Sequence, residues 1–134
     1  MKIYLAGPDI FLPDAIIANL TPFRGPGGDP GTAYELGYMA ARGKFCLGYC
    51  NDPSLYVDRV RRFTVVRSQD GRLIDADGLT VEDFGLADNL MMVHAFDLHG
   101  CALVTPAKTA ADIWRDFTAF EACVRLAAER IVSH

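Results

Sequence analysis

The sequence predicts an α/β fold, and three observations lead to that prediction. Short apolar runs of strand type alternate along the 134 residues with stretches of helical type, which is typical of helices layered on a sheet. The run Ala15–Asn19 is almost wholly apolar, as expected for a strand covered on both faces. A helical stretch from Pro30 to about Arg42 is joined to a strand-like run, Phe45–Cys50, by a very short link. That arrangement is half of a βαβ unit, and the chain length fits a single domain over residues 1–134.

Two short strands near the N-terminus have an unusually brief connection. Lys2–Ala6 is expected to form the first strand and Ala15–Asn19 the second. Parallel strands need a crossover of a dozen or more residues between them. From the residues alone, two explanations stay open: the strands are antiparallel neighbours, or a crossover segment is missing between Pro13 and Asp14.

The clearest helix start in the chain follows the loop Leu20–Gly28, which is dense in proline and glycine. Asp29 can cap the helix and Pro30 fits its first position. Gly43 suits the left-handed conformation that ends many helices. These signals predict a helix that begins after Asp29 and ends at about Arg42.

The second half of the chain predicts further elements. Asn51–Asp83 is polar and charged, and its Gln69-Asp70-Gly71 turn signal predicts a hairpin. The expected hairpin strands are Phe63–Arg67 and Arg72–Ile74. A short helix, a last strand and a long amphipathic helix are then expected over Asp88–Phe96, Cys101–Val104 and Lys108–Val132. Apolar residues spaced by three and four define the face of the long helix: Ile113, Trp114, Phe117, Phe120, Val124, Ala127 and Ile131.

Composition and missing motifs exclude several classes of function. The formal net charge of −4 argues against binding of a nucleic-acid polymer. No apolar run approaches the length of a membrane span, and the N-terminal one is too short for a signal peptide. The four cysteines form neither CxxC nor a Cys/His cluster, so they are expected to be core residues in a reducing cytoplasm rather than zinc ligands. The glycine-rich motifs GxGxxG and GxxxxGK[ST] are both absent, which argues against a dinucleotide-binding protein and a P-loop protein.

Glu35 is the strongest catalytic candidate. It lies in the second turn of the predicted helix, among residues that are mostly small. The helix N-terminus favours its ionised form, and partial burial would make the carboxylate a reactive nucleophile. The alternative is a surface glutamate paired with Arg42. Asp29 lies close enough to act with Glu35 on one small ligand, although it could serve only as the helix cap.

Weaker candidates lie at the ends of other elements. Gly7 follows the first strand, where open α/β sheets let ligands approach the backbone. Tyr4, within that strand, could simply be a core residue. Asn89 could cap the short helix that carries Met91, whose side chain could equally be packing.

Four segments, in order, resemble the nucleoside 2-deoxyribosyltransferases. They are Tyr4–Phe11, Ala18–Gly25, Asp29–Gly37 and Asn89–Met91. The block Asp-x-Gly-Thr-Ala-x-Glu-x-Gly is the most specific of them. The resemblance implies a flavodoxin-like three-layer α/β sandwich around a central, mostly parallel sheet. It also implies transfer of a 2-deoxyribosyl group from a 2′-deoxynucleoside to a free nucleobase, in nucleotide salvage, without a metal or organic cofactor.

The resemblance also implies roles for single residues. Glu35 falls on the nucleophile, Tyr4 on the tyrosine that orients it, and Asp29 on a substrate-contacting aspartate. Gly7 and Phe11 would lie at the substrate pocket. Asn89 and Met91 would reach the site of a neighbouring subunit, which implies a homo-oligomer.

One departure from the family pattern affects the base pocket. The family has a helix, a strand and a second helix between its first strand and the strand that matches Ala15–Asn19. We therefore favour a missing segment between Pro13 and Asp14. Two other functions stay open: a nucleoside-phosphate N-hydrolase, with Arg24 in a phosphate site, and a nucleotide-binding module without catalysis.

Overall fold

The computed structural model describes residues 3–5, 14–98 and 103–132. Within them the chain forms strands and helices in this order: β1 (Ile3–Leu5), β2 (Ala15–Asn19), α1 (Pro30–Ala41), β3 (Phe45–Tyr49), α2 (Tyr56–Phe63), β4 (Arg67–Gln69), β5 (Arg72–Ile74), β6 (Thr80–Val81), α3 (Leu90–Asp97), β7 (Leu103–Val104) and α4 (Thr118–Val132). None of the helices in these ranges is long and apolar enough to span a membrane.

A four-stranded parallel sheet in the order β1-β2-β3-β7 forms the centre of the fold. Helices α1 and α3 cover one face, where Ile16 packs with Leu36 and Phe96. Helix α4 covers the other face, where Leu47 packs with Cys123. The predicted α/β sandwich with a parallel sheet is therefore confirmed.

Strands β1 and β2 run parallel, with Ile3 opposite Ala15 and Leu5 opposite Ile17. The antiparallel explanation for their brief connection is therefore wrong. The missing segment between Pro13 and Asp14 stays a prediction, because Pro13 lies outside the described residues.

Helix α2 was not anticipated, because the stretch that contains it reads as polar. Val57 and Val60, three residues apart, bury one face of this helix against Val81. The helix takes up Phe63, so the first hairpin strand begins at Arg67 and not at Phe63. The turn at Asp70 and Gly71 is confirmed, and both residues have positive φ.

The long C-terminal helix begins at Thr118, and its predicted start at Lys108 is wrong. Asp112 accepts a hydrogen bond from the backbone amide of Trp114 at 3.0 Å, and Asp116 accepts one from that of Thr118 at 2.9 Å. Such short-range bonds from side chain to backbone compete with helical ones.

A long-range contact reinforces this non-helical segment. Asn51 donates hydrogen bonds from Nδ2 to the carbonyls of Ile113 and Asp116, which a longer helix would need as acceptors. Trp114 and Phe117, predicted on the buried face, are therefore 55% and 61% exposed.

Candidate active site

The candidate site lies at the edge of the sheet where the parallel strands end. The loop after β2 runs along this edge to α1, and the loop after β3 lies beside it. Thr21 joins the two loops, since its hydroxyl accepts a hydrogen bond from the backbone amide of Asn51 at 3.1 Å. This is the edge at which open α/β sheets bind ligands.

Asp29 caps α1, as predicted. Its backbone is extended, with φ −64° and ψ 130°, and Oδ2 accepts a hydrogen bond from the backbone amide of Thr32 at 3.0 Å. A β-carbon on Gly31 would lie 2.9 Å from that oxygen, so the glycine leaves room for the carboxylate over the helix end. The cap therefore explains the spacing of Asp29 and Gly31. Contact between Asp29 and substrate stays a prediction.

Glu35 lies one and a half turns further along α1 and is half-buried. Its neighbours in the helix differ in exposure: Leu36 is buried in the core, and Tyr34 is 70% exposed. The Arg42 guanidinium lies over the ring of Tyr38, 5.7 Å from its centroid. Asp29 thus stands at the N-terminal end of α1, and Glu35 is the sixth of its twelve residues.

Three further site residues were predicted in and after the first strand, and the structure describes only the backbone of one of them. The backbone of Tyr4 lies in β1 opposite Ile16, a core residue that packs with α1. Gly7 and Phe11 lie outside the described residues. Their roles stay predictions.

Asn89 caps α3, so the prediction that it could cap this helix is confirmed. Its Oδ1 accepts a hydrogen bond from the backbone amide of Met91 at 3.0 Å, and its Nδ2 donates to the carboxylate of Glu82 at 3.1 Å. Met91 itself is 78% exposed.

An apolar groove of about 370 Å³ separates α1 from α3. Small residues of α1, among them Ala33, Gly37 and Ala41, form one wall, and Met91 and Leu98 belong to the other. Met91 therefore stands on the rim of an apolar surface that adjoins the helix carrying Glu35.

Comparison with known proteins identifies the family. The model of the family described as nucleoside 2-deoxyribosyltransferase matches residues 12–91. The chain belongs to the nucleoside 2-deoxyribosyltransferase family. The matched range contains Asp29, Glu35, Asn89 and Met91.

The chain is also similar to two individual proteins, one of which is a 2-deoxyribosyltransferase. A 2-deoxyribosyltransferase of solved structure from Leishmania mexicana is 44% identical, with a TM-score of 0.50 over 62% of this chain and 48% of its own. An uncharacterized protein of Schizosaccharomyces pombe is 42% identical over 92 residues, which are 58% of this chain and 43% of that protein. The chain thus spans about half the length of the relatives it matches.

A buried ion pair lies beside the site of this deoxyribosyltransferase-family chain, and the sequence did not predict it. Arg59 of α2 lies 3.4 Å from Asp88, and both side chains are 1% exposed. Arg59 also donates to the carbonyl of Ala87 and to the Cys50 sulfur. Nothing in the sequence distinguishes Arg59 from the neighbouring arginines, so no local signal could have found this pair.

A second ion pair ties α2 to the loop after β3. The buried carboxylate of Asp52 accepts hydrogen bonds from the Ser54 hydroxyl at 2.5 Å, the Ser54 amide at 2.9 Å and Arg62 at 2.8 Å. Burial alone would raise the pKa of Asp52, but these donors outweigh it and hold the pKa below its ordinary value. Asp52 is thus an ionised anchor for the loop.

The cysteines among the described residues lie in the core. Cys46, Cys50 and Cys123 are buried thiols, as expected of core residues, and Cys101 lies outside the described residues. Among the described side chains, no group of three or more His, Cys, Asp or Glu could hold a metal ion.

Proposed function

We propose that the protein transfers a 2-deoxyribosyl group from a 2′-deoxynucleoside to a free purine or pyrimidine base, a reaction of nucleotide salvage. The observation that carries the proposal is the segment from Asp29 to Gly37. It lies within the range matched by the family. It carries the Asp29 carboxylate at the start of α1, which follows the sheet edge that suits a ligand, and the Glu35 carboxylate in the second turn of the same helix.

The proposed mechanism has two displacements at the anomeric carbon. A Glu35 carboxylate oxygen attacks this carbon while its bond to the base nitrogen breaks, and the base leaves with the bonding electrons. A ring nitrogen of the second base then attacks the glycosyl ester, and Glu35 leaves as a carboxylate. Two inversions give net retention, as in retaining glycosidases.

Several features of the chain support these roles. Half-burial leaves the Glu35 carboxylate less hydrated than it would be on an open surface. The departing base needs a proton on its ring nitrogen, and we assign Asp29 as its donor; the incoming base then gives its own ring N–H proton to Asp29, which restores the donor. Tyr4 would orient Glu35, and Gly7 and Phe11 would line the pocket.

We further propose that the active form is a homo-oligomer whose sites are shared between subunits. Met91 is largely exposed on the rim of the apolar groove beside α1. Burial of such a surface by a second copy would remove apolar area from water. It would bring Asn89 and Met91 of one subunit toward the Glu35 of its neighbour.

The decisive experiment supplies a 2′-deoxynucleoside and a different free base and follows the exchanged nucleoside by chromatography. Glu35→Ala should abolish exchange while the circular dichroism stays native. Glu121→Ala, an exposed glutamate on α4, is the matched control and should exchange normally. Exchange retained by Glu35→Ala would refute the assignment.

The same assay separates the alternative functions. The assay is run without an acceptor base on the 2′-deoxynucleoside and, in parallel, on its 5′-monophosphate. Release of free deoxyribose from the first, or of deoxyribose phosphate from the second, would indicate an N-hydrolase. Binding of nucleoside without any product, and without a sugar adduct on Glu35 by mass spectrometry, would indicate a binding module.

A further inference from the structure

We propose that Asp88 is a positioning residue for the transfer reaction, one whose carboxylate fixes the segment that carries Asp29 relative to the segment that carries Asn89. The inference rests on the proposed function and deepens it. Asp88 does not itself touch substrate in this scheme; it acts through the two residues that do.

The geometry joins two segments distant in sequence. Asp88 Oδ2 accepts a hydrogen bond from the backbone amide of Gly28, immediately before Asp29, at 3.1 Å. Asp88 Oδ1 accepts a hydrogen bond from the backbone amide of Asn89 at 2.7 Å. A single carboxylate therefore bridges the peptide that leads into the cap of α1 and the cap residue of α3.

Both bonds need the ionised form of Asp88. A carboxylate accepts at both oxygens, whereas a protonated acid or an amide presents a donor to one of the two N–H groups. Arg59, at 3.4 Å, supplies the compensating charge in the buried site. Its donation to the carbonyl of Ala87 holds the backbone just before Asp88 as well.

Arg59 also connects the site to a distant part of the fold. It lies on α2, whose Val57 and Val60 pack against Val81 of the β4–β6 sheet. The segment from α2 to β6 thus contributes one buried side chain that neutralises Asp88 at the edge of the active site. This gives the segment a role in holding the site.

The variants Asp88→Asn and Arg59→Lys test the proposal in the full chain. Asp88→Asn preserves shape but loses one of the two amide acceptors, so we expect kcat/KM for exchange to fall by about tenfold or more. Arg59→Lys keeps the charge but not the planar fork, and should retain more activity than Arg59→Met. Asp58→Asn, on the exposed face of the same helix and paired with Arg61, is the control and should leave kcat and KM unchanged.

A structural role alone predicts a different result. Asp88→Asn would then lower the melting temperature but leave kcat and KM at wild-type values well below that temperature, which would overturn the proposal. Wild-type values in Arg59→Met would overturn it too.

A measurement on the wild-type chain covers the case in which the variants do not fold. The amide NMR signals of Gly28 and Asn89 should titrate together with one apparent pKa, because both report the charge of Asp88. Burial raises the pKa of Asp88, while Asn89, Arg59 and Gly28 oppose the rise and Glu82 adds to it; Tyr56 also faces this group. Separate midpoints for the two signals would contradict the proposal.

The failure of the proposed function is distinguishable from the failure of this inference. A wild-type chain that performs no exchange refutes the transferase activity whatever the amide signals do. If exchange is present but the two amides titrate independently, only the role of Asp88 is refuted.

Discussion

The ring of Phe96 in α3 lies directly against Gly48 in β3, so closely that ring carbons fill the position of a β-methyl group. Both residues are buried. Gly48 therefore sets how closely α3 approaches the sheet, and with it the position of Asn89 and Met91 at the start of that helix.

Gly48→Ala should destabilise the protein because the added methyl group overlaps the Phe96 ring. We expect the free energy of unfolding, measured with urea, to fall by about 1–3 kcal/mol. Gly37→Ala is the control, since no atom lies within 4 Å of its added methyl group and its helical position should gain about 0.5–1 kcal/mol. Equal stability of Gly48→Ala and wild type would show that α3 is free to shift.

Asp29 can be tested as a cap and as a substrate contact separately. Asp29→Ala should lower the free energy of unfolding by about 0.5–2 kcal/mol through loss of the hydrogen bond to the Thr32 amide. Asp29→Ser can still cap, so it should restore most of that stability in thermal unfolding. If Asp29 also protonates the leaving base, Asp29→Ser should stay deficient in exchange; full activity of the serine variant would leave the cap as its only role.

The ionisation of Asp52 should make the free energy of unfolding depend on pH under acidic conditions. Its folded-state pKa is lowered, so its stabilisation is complete above about pH 4, the ordinary value for aspartate. As the pH falls through the folded-state pKa, the native carboxylate is protonated and the contribution is lost. The difference in unfolding free energy between wild type and Asp52→Asn should therefore be largest near pH 7 and shrink below about pH 4.

Urea unfolding across this pH range measures the difference for Asp52→Asn. Asp58→Asn, in an exposed pair, is the control and should change stability by no more than about 0.5 kcal/mol. A difference for Asp52→Asn that does not vary with pH would show that its ionised form contributes nothing.

Met91→Lys should disrupt the proposed homo-oligomer by placing a charge on the rim of the apolar groove. Sedimentation velocity should show a smaller species than wild type, and exchange should fall with it. Leu126→Lys, at a 43% exposed position on α4 across the sheet, should leave the assembly unchanged. A monomeric wild type would rule out the shared site.

A shared site also predicts complementation between inactive variants. Mixing Glu35→Ala with Asn89→Ala under conditions that exchange subunits should restore activity, because one site then combines an intact Glu35 with an intact Asn89. Mixtures no more active than either variant alone would place both residues in the same subunit's site.

The local signals of the sequence were sufficient for much of the framework. Asp29 and Pro30 predicted the start of α1, and the apolar runs predicted β2 and β3 almost to the residue. Caps and apolar runs act over one or two turns of chain, so their physics is contained in the neighbouring residues. The residues from Asp29 to Gly37 also carry the most specific resemblance to the family, which needs no knowledge of tertiary contacts.

The tertiary structure alone decided the features that depend on distant partners. The end of the irregular segment before α4 depends on Asn51, which holds the carbonyls of Ile113 and Asp116. The bridge from Asp88 to Gly28 joins residues 60 positions apart, and the burial of Arg59 follows from where α2 packs. No pattern within a short window contains such pairings, because burial and charge compensation are properties of the folded neighbourhood and not of the residue type.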